Sequence, residues 1–195
     1  MAENNENLKK IFTVPNVISM FRLVLIPVFV WVYIGARNNL LTVILLAVSG
    51  LSDVLDGLIA RKFNMVSDLG KALDPVADKL TQIAMLFCLF FRYRYMLIPL
   101  LLLMVKEIIA GTTGIAVIRA TNEVRSAEWH GKVATFSLYV MMIMHLLWPV
   151  IAPPDIPVAV SVISVAVTTG VIAMSFVLYT ARNIRLIRQT KQTNA

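Results

Sequence analysis

Asp53-Val-Leu-Asp56-Gly57-Leu-Ile-Ala60-Arg61, followed after eight residues by Gly70 and then by Asp74 and Asp78, stands in a chain that otherwise reads as membrane helix. A carboxylate at or near hydrocarbon costs on the order of 2.5–3.5 kcal/mol on insertion scales, so such a cluster is functional by default. Asp53 and Asp56 are three apart, and Asp74 and Asp78 four apart. On helices either spacing puts the two side chains on one face. Two facing helices would bring the four acids together, where they repel strongly unless cations sit between them. The pattern asks for divalent metal, and oxygen-only ligands favour Mg²⁺ or Mn²⁺ over zinc.

Outward from this stretch the chain is apolar. Of its 195 residues 58% are hydrophobic, and the mean hydropathy is +0.78. A soluble domain of this length would not carry so many apolar residues. Six hydrophobic segments are marked at 17–35, 39–60, 70–91, 96–118, 132–152 and 157–180, each about as long as a helix needs to cross about 30 Å of hydrocarbon. Gly35-Ala-Arg-Asn-Asn39, Arg92-Tyr-Arg-Tyr95 and Pro153-Pro-Asp-Ile-Pro157 supply the breaks. The expected fold is all-α: a polytopic membrane protein of six transmembrane helices, one domain over 1–195, with a polar cavity facing the cytoplasm. Residues 1–15 are an interfacial or solvated lead-in, and no cleavable signal peptide is evident in them. Residues 182–195 are a basic tail whose cations Arg182, Arg185, Arg188 and Lys191 recur every three positions, which suits one helical face at anionic headgroups.

Lysine and arginine placement sets the orientation. Six spans put both termini on one side, together with Lys9, Lys10, Arg61, Lys62, Lys71, Arg119, Arg125, Lys132 and the tail, whereas the opposite loops hold only Arg37, Arg92 and Arg94. The expectation is an integral cell-membrane protein with both ends cytoplasmic. The net charge of +7 is explained by lipid or a phosphate-bearing substrate rather than by nucleic acid, because the cations lie between and after the apolar segments. Cys88 lies in an apolar run as a packing residue, and the ten methionines suit lipid-facing packing.

Small residues matter as much as the acids. Gly57 and Ala60 strip side chains from the face beside the carboxylates, and Gly70 gives the second helix the same clearance. Arg61 offers a planar fork of donors for phosphate oxygens. Two divalent ions about 3.5–4 Å apart would stabilise both oxygens of a phosphoryl substitution, and one acid should accept a proton from an attacking hydroxyl. The blander reading pairs Asp53 and Asp56 with Arg61 or Lys79 and makes Asp74-Pro75 a helix cap.

The full pattern, D-x2-D-G-x2-A-R-x8-G-x3-D-x3-D, resembles the signature of the CDP-alcohol phosphatidyltransferase family at every fixed position from Asp53 to Asp78. In that family a second alcohol displaces CMP from a CDP-alcohol, commonly CDP-diacylglycerol. The resemblance implies that Asp53 and Asp74 bridge two metals, Asp56 completes the ligands of the first and Asp78 those of the second. It also implies that Asp78 is the base. Gly57, Ala60, Arg61, Ser67 and Gly70 would surround the cytidine diphosphate. Asn16 and Ser19, at the start of the first span, would hydrogen-bond there or else cap the helix.

The acceptor must come from other residues. Asp74-Pro-Val-Ala-Asp-Lys79 looks like the glycerol-phosphate members of the family, and Gly131-Lys-Val-Ala-Thr135 resembles their GKxKT segment, with Ala134 in place of the second lysine. The implied acceptor is sn-glycerol 3-phosphate, and the implied product is phosphatidylglycerol phosphate. Arg119, Arg125, Lys132 and Arg182, at cytoplasmic ends of spans, are the cations available for the acceptor phosphate; the resemblance around Arg119 and Lys132 favours that role for them, whereas Arg125 and Arg182 read first as topology charges. The nearest alternative is cardiolipin synthesis with phosphatidylglycerol as acceptor. An alternative of another class, a small cation transporter or channel, needs carboxylates across the whole bilayer, whereas all four acids lie toward one side. Lys106-Glu107 resembles the family's Arg-Glu pair, and as helical neighbours the two are expected not to pair with each other. His130 and His145 are too isolated for a metal site, and His145 is expected to be a packed or hydrogen-bonded bundle residue. A homodimer is implied by the resemblance alone.

Overall fold

The computed structural model describes the backbone of residues 14–62, 68–121, 129–153 and 155–193, and side chains over 17–52, 75–117, 129–153 and 155–189. Among the described residues there are six α-helices and no strand: α1 Val14–Ile34, α2 Asn39–Lys62, α3 Asp68–Arg92, α4 Leu97–Thr121, α5 Trp129–Ile151 and α6 Val158–Thr193. The lead-in up to residue 13 lies outside them. Four stretches are long and apolar enough to cross a membrane: Val17–Ile34, Arg94–Val117, Trp129–Ile151 and Val158–Gln189. In α2 the apolar part among the described residues is Asn39–Ser52, and the charged signature follows it in sequence.

The breaks fall where turn chemistry puts them. After α1, Gly35 N–H donates to the Trp31 carbonyl at 2.8 Å and Arg37 takes a positive φ of 51°. Asn38 then caps α2, its Oδ1 accepting the Leu41 N–H at 2.9 Å. A 3₁₀ turn over Arg94–Met96 separates α3 from α4. The basic tail is not a separate piece, since α6 runs on as helix through Thr193. Its cations do not stop it: Leu, Arg, Gln and Lys are all good helix formers.

The chain divides into two units, Met1–Cys88 with Leu146–Pro154, and Leu89–His145 with Asp155–Ala195. In the first, α1 packs on α2, with Leu25, Phe29 and Val32 of α1 and Leu46 of α2 buried. In the second, α4 packs on α6, around Leu100, Leu103, Val165 and Ile172. Met85, Met96, Met141 and Met142 are fully or almost fully buried. The expectation of lipid-facing methionines therefore fails for these four, whose unbranched thioethers fill interior gaps. Branched and aromatic residues take exposed positions instead, among them Trp31, Phe136, Ile151 and Ile163.

Within the second unit α6 carries a buried polar row, Ser161, Thr168 and Ser175, spaced by seven. Each meets a residue of α5. His145 Nε2 lies 2.6 Å from Ser161 Oγ, Ser137 Oγ 3.2 Å from Thr168 Oγ1, and His130 Nδ1 3.1 Å from Ser175 Oγ. Asn183 extends the row, donating from Nδ2 to Thr113 Oγ1 of α4 at 3.0 Å. Hydrogen bonds between helices take the place that hydrophobic contrast has in water, because lipid is as apolar as the side chains. His145, whose Nδ1 also lies 2.8 Å from the Met141 carbonyl, is the hydrogen-bonded bundle residue expected, and His130 is a rung of the same ladder.

Outside the spans, Asp155 ties the α5–α6 connection to the end of α3. Its Oδ2 accepts from Arg92 Nη2 at 2.9 Å and Nε at 3.2 Å, and its Oδ1 accepts from the Tyr93 hydroxyl at 2.6 Å. Burial pushes the Asp155 carboxyl up, but the Tyr93 hydroxyl and the Arg92 hydrogen bonds and charge outweigh it and leave the group below its ordinary value of 3.8.

Two outcomes are expected. A double-mutant cycle on Ser137→Ala and Thr168→Val, read by unfolding in detergent, should give a coupling of about 0.6 kcal/mol, the average for hydrogen bonds between membrane helices. Asp155→Asn should cost less than about 1 kcal/mol, because the pair with Arg92 is partly solvated. With a depressed folded pKa, the stabilisation is fully present above 3.8 and lost only as pH falls through the lower folded value. The gap between wild type and variant should therefore stay constant from about pH 5 to 8 and close under stronger acid; a gap that changes near neutrality would rule out this account.

Candidate active site

On α2 the buried residues Thr42, Leu46 and Ser49 recur at intervals of three and four. The same register continues through positions 53, 56 and 60, where the sequence has Asp, Asp and Ala. On α3 the buried Ala77, Thr81, Met85 and Cys88 form the corresponding row, and its continuation toward the start of the helix reaches positions 74 and 70. On α1, Ser19, Arg22, Leu25 and Phe29 form the buried row, and Asn16 precedes it in register. By spacing alone positions 53, 56 and 60 continue the row on α2 and positions 70 and 74 the row on α3, whereas positions 57, 61 and 78 stand one residue off these rows. At 1.5 Å per residue, positions 53, 56, 74 and 78 lie within a band about 9–15 Å along their helices from the α2–α3 connection.

Asp53, Asp56, Gly57, Ala60 and Arg61 are on α2, and Gly70, Asp74 and Asp78 on α3. Only Asp78 of these has a described side chain. Asn16 on α1 and Arg119 on α4 are described in backbone alone, and Ser67 and Arg125 lie outside the described residues. Ser19 is fully buried in the second turn of α1, so it is no helix cap. Asp74-Pro75 is no cap either, since α3 starts at Asp68 and carries Pro75 inside it. As the eighth residue of α3, Pro75 has no N–H for the carbonyl of residue 71, a gap that helices of membrane bundles tolerate.

Asp78 is half-buried. Its Oδ2 accepts a hydrogen bond from Gln82 Nε2 at 2.8 Å and lies 3.9 Å from Lys79 Nζ. Gln82, one turn on, is fully buried, and its own Oε1 has no partner among the described residues. Leaving such an acceptor unsatisfied costs about 1–3 kcal/mol. Sequence reasoning passed over Gln82 and also Arg22, a cation buried to 3% exposure inside the first span. The available signal was the same for both: a polar residue in an apolar run, in register with the site. Four carboxylates with no thiol or imidazole among them suit a hard divalent cation, and their positions lie in one narrow band along α2 and α3. Among the described side chains no three His, Cys, Asp or Glu residues come together; Asp53, Asp56 and Asp74 are not among those side chains.

Of the residues expected for the acceptor phosphate, Arg119 is on α4, Lys132 on α5 and Arg182 on α6. Lys132, in the first turn of α5, is exposed, and Arg182 on α6 is partly buried beside the buried Asn183. Ala134, which replaces a lysine of the glycerol-phosphate pattern, is 2% exposed. On α4 the expectation for Lys106 and Glu107 is overturned: Lys106 Nζ donates to Glu107 Oε1 at 2.7 Å. Adjacent Cβ atoms do diverge, but both side chains are long enough to curl back, and in an apolar span pairing offsets the cost of two isolated charges.

The family model for CDP-alcohol phosphatidyltransferase matches residues 12–177. A cardiolipin synthase (CMP-forming) of Streptomyces coelicolor is 33% identical over 143 residues, 71% of this chain and 66% of that protein. A Mycobacterium bovis protein named provisionally as a cardiolipin synthase is 49% identical over 71 residues, 36% of this chain and 34% of its own length. The CDP-diacylglycerol–glycerol-3-phosphate 3-phosphatidyltransferase of Wigglesworthia glossinidia brevipalpis is 31% identical over 141 residues, 69% of this chain and 76% of that enzyme. The chain thus spans less than two thirds of the first two relatives. With the family match running from before α1 into α6 and across the whole aspartate signature, the chain belongs to the CDP-alcohol phosphatidyltransferase family.

Proposed function

We propose that this protein transfers the phosphatidyl group of CDP-diacylglycerol to sn-glycerol 3-phosphate, giving phosphatidylglycerol phosphate and CMP. The observation that carries the reading is the complete signature from Asp53 to Asp78, whose acids fall on α2 and α3 on either side of one connection. In the reaction the acceptor hydroxyl gives its proton to Asp78, and its oxygen forms the new bond to the β-phosphorus. The bond from that phosphorus to the CMP oxygen breaks, and its electron pair leaves with CMP. Gly57, Ala60 and Gly70 leave room for the diphosphate, and Arg61 offers paired donors to its oxygens. Two Mg²⁺ or Mn²⁺ ions held by Asp53, Asp56, Asp74 and Asp78 would neutralise the charge that builds on the diphosphate. Asn16, Ser19 and Ser67 belong to the nucleotide end in this reading, and Arg119, Arg125, Lys132 and Arg182 to the acceptor phosphate.

The same reading makes residues 1–195 one catalytic domain and lets α2 and α3 complete six crossings, with both termini and the polar cavity cytoplasmic. The lysine and arginine distribution supports that orientation. Assembly as a homodimer is part of the proposal on family grounds.

Asp74-Pro-Val-Ala-Asp-Lys79 and Gly131-Lys132 favour glycerol 3-phosphate as the acceptor, as does the name of the Wigglesworthia relative. A second reading, cardiolipin synthesis on phosphatidylglycerol, is favoured by the Streptomyces relative and by the buried alanine at 134.

Purified protein in detergent, given CDP-diacylglycerol and Mg²⁺, should release CMP with glycerol 3-phosphate and not with phosphatidylglycerol, inositol phosphate or serine. Release with phosphatidylglycerol alone would transfer the assignment to the second reading. Asp78→Asn should lower the rate about a hundredfold or more, the usual weight of a general base, while still binding CDP-diacylglycerol; a near wild-type rate would remove Asp78 from that role. Arg61→Ala should raise KM for CDP-diacylglycerol about tenfold, in line with about 1.5–3 kcal/mol for hydrogen bonds to charged groups. An unchanged KM would take Arg61 away from the diphosphate.

A further inference from the structure

We propose that Gln82 is a positioning residue for Asp78, holding the carboxylate by one oxygen so that the group keeps a single orientation toward the acceptor hydroxyl and the divalent ion. The proposal rests on the reading of Asp78 as ligand and base. Its geometric basis is the 2.8 Å hydrogen bond from Gln82 Nε2 to Asp78 Oδ2, across one turn of α3. The amide must present nitrogen to the carboxylate, since its oxygen would be repelled there. A neutral donor suits the task. An ammonium at the same distance would act as a counter-ion and compete with the metal, whereas an amide orients the carboxylate without cancelling its charge. Lys79, at 3.9 Å, stands beyond hydrogen-bond range.

Burial makes the restraint rigid. Gln82 is fully enclosed, and so are Met85 and Leu86 in the next turn. Its side chain has little freedom to swing Asp78 with it. Among the described residues Oε1 has no partner, and a methionine would fill similar volume without a buried acceptor to satisfy. A polar group kept at such a site, with its one hydrogen bond made to the proposed base, has its use in holding that base. Structure and function should therefore respond in opposite directions to its removal, which a residue serving only the fold would not produce.

The test compares wild type, Gln82→Met, Gln82→Asn and Asp78→Asn, each purified in detergent. Three quantities are measured: CMP release, Mn²⁺ binding without substrates by the electron paramagnetic resonance of free Mn²⁺, and the unfolding temperature. Gln82→Met should lower kcat tenfold or more with KM for CDP-diacylglycerol within twofold, weaken Mn²⁺ binding threefold or more, and unfold at an equal or higher temperature. Gln82→Asn keeps the amide but not its reach, and should lose kcat to a similar degree. Values of kcat and Mn²⁺ affinity within twofold of wild type in either variant would overturn the proposal. So would a Gln82→Met protein that fails to fold or unfolds well below wild type, since that marks a role in the fold. If Asp78→Asn keeps the wild-type rate or wild type binds no Mn²⁺, the reading of Asp78 itself falls; if those two behave as expected, only the role of Gln82 is in question.

Discussion

Hydrocarbon offers no partner for a hydrogen bond, so a polar group carried into it must find one inside the protein. That constraint orders most of what is polar in this chain. Thr81 and Thr113 solve it locally, returning their hydroxyls to carbonyls one turn back. Ser137, His130 and His145 solve it across helices, and by doing so fix α5 against α6. Lys106 and Glu107 solve it as a pair. Gln82 solves half of it among the described residues, with the amide nitrogen on Asp78 and the oxygen left over.

The four acids of the signature fall within one short stretch of α2 and α3, and positions 57, 60 and 70 beside them are glycine or alanine. In the proposed reading, cations and a polyanionic substrate would offset the repulsion among these carboxylates. Binding and catalysis then draw on the same electrostatic deficit.

Much of this was legible in the sequence. The breaks at Gly35–Asn39, Arg92–Tyr95 and Pro153–Pro157 were readable because glycine, proline and capping asparagine act locally. The signature was readable because carboxylates are rare in apolar segments. What escaped depended on tertiary geometry. A serine or threonine in an apolar helix is satisfied equally well by its own i−4 carbonyl or by a neighbour, so nothing in the sequence separates Thr81 from Thr168. Lys106 and Glu107 were misread because the rule about adjacent residues concerns Cβ directions, and long side chains escape it. The helical tail was partly visible, in the three-residue spacing of its arginines, but the continuity of α6 through it was not.

The length of α6 has a consequence of its own. Its 36 residues extend about 54 Å, well beyond the roughly 30 Å of a hydrocarbon core. Three rungs with α5 pin it against sliding, and Arg182 stands seven residues, about 10 Å, past the last of them at Ser175. The helix is in effect a fixed ruler, marking off the distance from the ladder to the headgroups. A thinner or thicker bilayer must therefore be met by tilting or by deformation of the surrounding lipid, which makes the acyl-chain length of the host membrane a mechanical variable for this protein.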